Sequence, residues 1–160
     1  MAEVFILLGG NVGDKSKIPE DAIKLIRERI GFITKMSSLY ATESWGFVSD
    51  LFWNQVIILE STLDPHEILH NTQTIEREMG RINNSASYEA RVIDIDLLYY
   101  DNLIINTPDL TIPHPKIGER KFVLIPLNEL NPDKYDPVSG LTVRELLNRC
   151  QDQLKVDRIG

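Results

Sequence analysis

The chain has little of three things that would each assign it to a class of protein: cysteine, long apolar segments and positive charge. Its single cysteine, Cys150, cannot form an internal disulfide and is typical of a protein from a reducing compartment. No segment approaches the roughly 18 consecutive apolar residues of a membrane-spanning helix. Lysine and arginine number 17 against 24 aspartates and glutamates, and the net charge of −7 argues against nucleic acid and anionic membranes as partners.

The N-terminus also lacks the features of a targeting signal. Met1-Ala2-Glu3 precedes a short apolar run at residues 4–8, so the start has no basic region and the run is too short for a signal peptide. We therefore expect a cytoplasmic protein whose partners are small molecules. The sequence does not determine the oligomeric state, for which a monomer is the simplest expectation.

What the chain does contain is the composition of one globular domain. Hydrophobic residues make up 42% and charged residues 26% of the 160 residues, close to the average for folded proteins. A chain of this length can bury a core of its own. No repeat or long linker divides it, so we expect a single domain over residues 1–160.

Apolar periodicity predicts the order β-α-β-β-α-β followed by a C-terminal extension. Strands are predicted at residues 4–8, 32–42, 51–62 and 93–97, and helices at 19–31 and 64–80. The extension contains a short strand at 103–105, a helical stretch at 119–130 that Pro126 interrupts, and a last helix from Thr142. Capping boxes are predicted at the helix starts Asp64 and Thr142. This order is typical of an α+β, ferredoxin-like fold, in which an antiparallel sheet carries its helices on one face.

The strongest chemical signal is a pair of carboxylates, Asp94 and Asp96, in an alternating strand. Two residues along a strand span roughly 6.6 Å and place both side chains on the same face. Carboxylates so placed repel each other unless a cation lies between them, and hard oxygen ligands favour Mg²⁺ or Mn²⁺. The alternative is a solvated strand face, which often carries alternating charges.

Basic residues around this pair favour a phosphate site. Arg91 stands three residues before Asp94, and further basic side chains follow at Arg81, Lys116, Arg120 and Lys121. Guanidinium groups beside a carboxylate and metal site can hold the oxygens of a polyphosphate. The proline on each side of His114 restricts the backbone there, which suits an oriented side chain, although a lone histidine is more often structural.

Two other features have an ordinary interpretation when taken alone. The stretch from Gly9 to Ser16 does not have the spacing of a phosphate-binding Walker loop or of a dinucleotide fingerprint, so a flexible turn after a strand is the better interpretation. Four aromatic residues, Phe52, Trp53, Tyr88 and Phe122, are more often core residues when taken singly, but two of these rings can also sandwich a flat heterocycle.

Together these residues make the chain similar to the 6-hydroxymethyl-7,8-dihydropterin pyrophosphokinase family over about residues 3–150. The most specific match is Arg91-x-x-Asp94-x-Asp96. The supporting matches are residues 8–14, 40–42, Phe52 with Asn54, Gln73 with Glu76, 80–81, 113–115, and Arg120 with Phe122. The resemblance implies an enzyme of folate biosynthesis that transfers pyrophosphate from ATP to the hydroxymethyl group of the pterin and releases AMP.

The resemblance also implies a role for each matching residue. Two Mg²⁺ ions would be held by Asp94 and Asp96, which with Arg81 and Arg91 form the catalytic set. The residues expected to bind the pterin are Thr42, Glu43, Trp45, Phe52, Asn54 and Phe122. Those expected to bind the nucleotide are Gln73, Glu76, Tyr88, Arg91, Leu97, Thr111, His114 and Arg120.

The chain departs from the family pattern before the motif arginine, where Tyr88-Glu89-Ala90 replaces a Trp-Gly-Pro type of sequence. Glu89 puts a negative charge where the triphosphate is expected. Two other functions therefore stay open at this point. One is a module that binds a pterin or nucleotide without turnover, and the other is a different Asp-x-Asp metal-dependent transferase that releases another nucleotide product.

Overall fold

The computed structural model describes residues 1–10, 17–43, 51–83 and 92–159. Within these ranges the chain forms antiparallel strands and helices, which confirms the predicted α+β class. None of the helices in these ranges is long and apolar enough to cross a membrane. The elements in chain order are β1 Ala2–Gly10, α1 Lys17–Arg29, β2 Phe32–Met36, β3 Tyr40–Glu43, β4 Leu51–Ser61, α2 Pro65–Asn83, β5 Asp94–Tyr100, β6 Ile105–Asn106, β7 Thr111–Ile112, α3 Lys121–Leu130, α4 Val143–Arg149 and β8 Val156–Arg158.

Six of the strands form one antiparallel sheet in the order β5-β1-β4-β3-β8, and β2 also pairs with β4. The central strand β1 lies between β5 and β4, so that Gly9 stands opposite Asp94 on one side and Asn54 on the other. Neighbouring strands are about 4.8 Å apart, so this row of three residues spans about 10 Å. The register therefore brings one of the predicted metal ligands and one of the predicted pterin ligands to the same end of the sheet.

Alternate residues of β1 face two separate apolar cores. Ile6 and Leu8 pack in a core with α1 and α2, whereas Phe5 and Leu7 pack in a core with α3 and α4. The two helices of the predicted β-α-β-β-α-β unit therefore share one face, as predicted, and the helices of the C-terminal extension cover the other face. The reason is that α3 and α4 bring apolar side chains of their own that need a partner, and the second face of β1 and β4 supplies it. These buried side chains are Val123, Leu124, Leu127 and Val143.

The single strand predicted over residues 32–42 is divided into β2 and β3. Ser37, between them, accepts the backbone N–H of Val56 with its side-chain hydroxyl at 2.9 Å. Its own N–H donates to the carbonyl of Val56 at 2.9 Å. The serine side chain thus replaces one of the backbone acceptors of the ladder, and the strand is interrupted there.

The two predicted capping boxes are present, whereas α1 begins at Lys17 instead of residue 19, and α3 differs from its prediction in both start and course. Glu67 N–H donates to Asp64 Oδ1 at 2.8 Å and Asp64 N–H donates to Glu67 Oε1 at 3.1 Å. Thr142 and Glu145 make the same reciprocal pair, so both capping boxes are confirmed. Helix α3 continues through Pro126 without the predicted interruption. The short strand predicted at 103–105 is displaced to β6, at Ile105–Asn106.

Candidate active site

A cavity of about 320 Å³ lies on the α3 face of the sheet, at the N-terminal end of that helix. Its volume is in the range of small-molecule sites. Strands β1, β3, β4 and β5 all contribute to its lining, and α3 and the C-terminal residues close it from the other side. Seven of the predicted site residues meet here, namely Thr42, Phe52, Asn54, Asp94, Asp96, Arg120 and Phe122.

Two features of the chain leave this space open. Helix α3 begins only at Lys121, so the helix does not cover the part of the sheet that lies beyond its N-terminal end. In addition, Gly9 has no side chain at the centre of the cavity floor. A Cβ atom on Gly9 would lie 2.6 Å from Asn54 Nδ2, closer than such atoms approach in proteins. Glycine at this position therefore gives Asn54 its place beside the cavity.

The buried polar groups of the cavity lie on β3 and β4. Thr42 is 3% exposed and Asn54 is 6% exposed, and both line the cavity. Among the residues that the structure describes, the Thr42 hydroxyl is one of four buried polar side-chain atoms without a hydrogen-bond partner. An unsatisfied buried hydroxyl is costly in free energy, and a polar ligand in the cavity would satisfy it.

The aromatic residues come from different layers of the fold. Phe52 projects from β4 and is 39% exposed, whereas Phe122 belongs to the first turn of α3 and is half-buried. The Arg120 guanidinium lies over the Phe122 ring, 5.6 Å from its centroid. The cavity therefore has apolar rings on the sheet side and on the helix side, an arrangement that suits a flat heterocycle.

Asp94 and Asp96 reach the cavity from β5, on the side of β1 opposite to Asn54. In the part of the chain that the structure describes, no three metal-ligating side chains are close enough to form a complete protein cage. Mg²⁺ is commonly bound by only one or two carboxylates, with substrate phosphates and water completing its coordination. The donor set present here fits Mg²⁺ that binds together with a phosphate-containing substrate.

Two further predicted residues lie along the outer edge of β5, away from β1. The Ile95 N–H donates to Glu76 Oε2 at 2.7 Å, which ties α2 to the strand between the two aspartates. The His114 N–H donates to the carbonyl of Leu98 at 3.1 Å. Burial lowers the pKa of the half-buried His114 imidazole below its ordinary value, and the nearby Asp96 carboxylate opposes this effect.

Of the other predicted residues, those whose side chains the structure describes do not line the cavity. Gln73 on α2 and Thr111 on β7 are exposed, and the Leu97 side chain is buried in the core with α1 and α2. Glu43 and Arg81 are placed by their backbone, at the end of β3 and near the end of α2. Trp45, Tyr88, Glu89 and Arg91 lie outside the described residues.

Four residues of the cavity were not predicted as site residues: Leu7, Gly9, Gly10 and Leu154. The structure also corrects the interpretation of the two glycines as a flexible turn, because β1 includes both. The sequence signal that could have placed the two glycines in the strand is that they directly follow its run of large apolar residues. No signal in the sequence marks Leu154. It reaches the cavity because the C-terminal residues are held against β3 and the start of α3.

A carboxylate pair suited to Mg²⁺ beside an aromatic-lined cavity is typical of an enzyme that transfers a phosphate-containing group to a flat substrate. A family model described as 7,8-dihydro-6-hydroxymethylpterin-pyrophosphokinase (HPPK) matches residues 5–132. The 2-amino-4-hydroxy-6-hydroxymethyldihydropteridine pyrophosphokinase of Porphyromonas gingivalis is 41% identical over 136 residues, which cover 82% of this chain and 92% of that protein. The protein of the same name from Methylorubrum extorquens is 34% identical over 161 residues, covering 99% of each.

Solved structures show the same fold. The crystal structure of a Plasmodium falciparum HPPK-DHPS triple mutant matches with a TM-score of 0.77 at 18% identity, over 92% of this chain and 43% of that longer chain. The chain belongs to the HPPK family. It is an ATP-dependent pyrophosphokinase of folate biosynthesis.

Proposed function

We propose that the reaction takes place between two subsites that share Asp94 and Asp96. The cavity on the α3 side is the pterin subsite, and the outer edge of β5 is the nucleotide subsite. The support for this division is that the aromatic and buried polar residues lie on one side of the two carboxylates, whereas Glu76 and His114 contact β5 from the other side.

In the pterin subsite, Phe52 and Phe122 stack on the two faces of the bicyclic ring. The Thr42 hydroxyl and the Asn54 amide hydrogen-bond its polar edge, which satisfies the otherwise unpartnered oxygen of Thr42. Glu43 and Trp45, which follow Thr42 along the chain, complete this edge. The ring is thereby oriented with its hydroxymethyl group towards the carboxylates of β5.

In the nucleotide subsite, Gln73, Glu76, Leu97, Thr111 and His114 surround the nucleoside, with Leu97 contributing its backbone. Arg120 and Tyr88 contact the phosphates, and Arg81 and Arg91 neutralise the charge that develops on them during transfer. Asp94 and Asp96 would hold two Mg²⁺ ions, which would supply neutralising charge for the phosphates when bound.

The reaction is an in-line displacement at the β-phosphorus of ATP. The hydroxymethyl oxygen of the pterin forms the new O–P bond, the bond between the α-phosphate and the β-phosphorus breaks, and AMP leaves with the bridging oxygen. The hydroxyl proton passes to solvent, since no side chain of the described cavity is a dedicated base for it. Catalysis then rests on positioning and electrostatic stabilisation by the aspartates and arginines.

The observation that carries this proposal is that Thr42, Asn54, Phe52 and Phe122 share one cavity with both aspartates. The test is to incubate the purified protein with ATP, Mg²⁺ and 6-hydroxymethyl-7,8-dihydropterin and to separate the nucleotide products. We expect AMP and pterin diphosphate in equal amounts. Formation of ADP or of free pyrophosphate would contradict the proposed bond cleavage, and pterin binding without any product would favour a binding module. Neither alternative is favoured by the family assignment.

Several coarser expectations accompany this proposal. If β2 and β3 are taken as two halves of one strand, the sheet order matches that of a ferredoxin-like fold, and we infer that topology for the first hundred residues. We also infer a single domain over residues 1–160 that acts as a monomer in the cytoplasm and binds small molecules rather than nucleic acid.

A further inference from the structure

The C-terminal segment, residues 150–159, follows α4 and contributes Leu154 to the lining of the cavity. Its last part is β8, which pairs with β3 so that Val156 stands opposite Thr42. The Ile159 N–H then donates to the carbonyl of Leu39 at 2.9 Å. This segment lies outside residues 5–132, the range that the family model matches. It is nevertheless attached to the strand that carries Thr42.

The segment is also attached to the helix that carries Phe122. Asp152 Oδ2 accepts the backbone N–H of Lys121, the first residue of α3, at 3.0 Å. Helix α3 has no side-chain cap of its own, because its N-cap residue is Arg120. The carboxylate of Asp152 thus satisfies an N–H group at the start of the helix, where a negative charge is also favourable.

One face of the segment is directed towards the protein. Burial alternates along residues 151–156, so that Asp152, Leu154 and Val156 are half-buried while the residues between them are exposed. The Leu154 N–H donates to Asp152 Oδ1 at 2.9 Å, which ties the backbone of Leu154 to the Asp152 side chain. The same carboxylate therefore holds the start of α3 and the backbone of Leu154.

Leu154 is the member of this face that lines the cavity, together with Phe52 and Phe122. Leu154 adds an apolar side chain to a cavity that Phe52 lines from the sheet and Phe122 from the helix. A heterocycle bound there would release water from its surface where it contacts Leu154. Asp94 and Asp96 line the same cavity, whereas Glu76 and His114, which belong to the proposed nucleotide subsite, contact the outer edge of β5 and do not line the cavity. A contact made by Leu154 therefore belongs to the pterin and not to the nucleotide.

We propose that the C-terminal segment is a wall of the pterin subsite, in which Leu154 contacts the pterin and Asp152 is a positioning residue for Phe122. This proposal rests on the pterin subsite proposed above. Leu154 determines affinity for the pterin directly, and Asp152 acts through the start of α3 and through the backbone of Leu154. Removal of either side chain should weaken pterin binding and leave ATP binding nearly unchanged.

The first experiment compares Leu154→Ala, Leu154→Met and the wild type by calorimetric titration with the pterin and, separately, with a non-hydrolysable ATP analogue. Loss of part of a leucine side chain from the contact should raise the pterin Kd about fivefold, with the analogue Kd unchanged. Leu154→Met, which keeps the apolar volume, should bind as the wild type does. The matched control is Gln153→Ala, because Gln153 is the exposed neighbour.

The second experiment tests the positioning role of Asp152. Asp152→Ala should raise the KM for the pterin, and Asp152→Asn, which keeps one acceptor oxygen, should give an intermediate value. A merely structural role would instead lower the Tm and change both substrates alike. Unchanged pterin affinity in Leu154→Ala, or equal losses for both substrates in all variants, would overturn the proposal.

The calorimetric measurement needs no turnover, so the two proposals can fail separately. A wild-type protein that bound the pterin but released no AMP would contradict the proposed function, while the effect of Leu154→Ala on pterin binding would still support or overturn the role of the C-terminal segment.

Discussion

Replacement of Gly9 by alanine adds a single methyl group to the floor of the cavity, and its effect can be worked out from the structure. The new Cβ would lie 2.6 Å from Asn54 Nδ2 and 3.5 Å from the carbonyl oxygen of Trp53. The distance to the Trp53 carbonyl oxygen is an ordinary van der Waals contact, whereas the distance to Asn54 Nδ2 is shorter than Cβ atoms reach in proteins. The Asn54 amide must therefore move by roughly 1 Å to reach a normal van der Waals separation.

The expected cost falls on ligand binding and not on stability. Asn54 is 6% exposed, and a displaced amide loses the hydrogen bond that we propose it makes with the pterin. One such bond contributes about 1–2 kcal/mol when its partner is left unsatisfied, which corresponds to a rise of about 5- to 30-fold in Kd. Alanine also restricts the unfolded chain, which stabilises the fold by about 0.4–1 kcal/mol and offsets part of the strain.

The assay is a pterin titration of four proteins: wild type, Gly9→Ala, Asn54→Ala and the double variant. If the methyl group acts by displacing the Asn54 amide, the double variant should bind the pterin about as weakly as Asn54→Ala alone. Gly118→Ala is the matched control, because its Cβ would meet only Leu146 Cδ2 at 3.7 Å.

Two results would refute this reasoning. Full additivity of the two substitutions would show that Gly9→Ala does not act through Asn54. A wild-type Kd in Gly9→Ala, with unchanged Tm, would show that the Asn54 amide does not contact the pterin.

Three further predictions concern the carboxylates, the helix-side ring and an alkaline titration. Asp94→Ala and Asp96→Ala should each abolish AMP formation at millimolar Mg²⁺ without lowering the Tm, since removal of one carboxylate relieves like-charge repulsion; near-normal turnover would contradict their role. Phe122→Ala should raise the pterin Kd about tenfold and leave that of an ATP analogue unchanged, and the opposite pattern would reverse the two subsites. Burial, with the hydrogen bond from the Tyr40 hydroxyl to Glu129, raises the pKa of Tyr40 from 10 to about 12. The folded protein thus holds this proton more tightly, and its contribution to stability is complete below pH 10 and lost between pH 10 and about 12. Over that interval the denaturation midpoint of Tyr40→Phe should fall less steeply than that of the wild type, and parallel curves would count against the assignment.

Local pattern accounts for most of the elements in the first hundred residues. The apolar run before Gly9 predicted β1, and the alternation around Asp94 and Asp96 predicted both the strand β5 and the shared face of the two carboxylates. The capping boxes at Asp64 and Thr142 predicted two helix starts. These signals are short-range, because periodicity and capping depend only on neighbouring residues.

The sequence predicted only part of the candidate site, because a residue that reaches the site through long-range packing has no short-range signal. The motif residues Thr42, Phe52, Asn54 and Phe122 were predicted through the family resemblance, and the structure places them in one cavity. Leu154 was missed, because a half-buried leucine near the end of a chain has no local pattern that distinguishes it from any other.

The sequence by itself determined which face of each element is apolar, which basic side chains are available to bind phosphate, and the family to which the chain belongs. Only the tertiary structure decided which sheet face receives each helix, that Gly9 lies within β1 between Asp94 and Asn54, and that the C-terminal segment reaches the cavity. The physical reason is that an apolar face specifies burial without specifying its partner. That partner is selected by long-range packing of α3, α4 and β8 against strands formed far earlier in the chain.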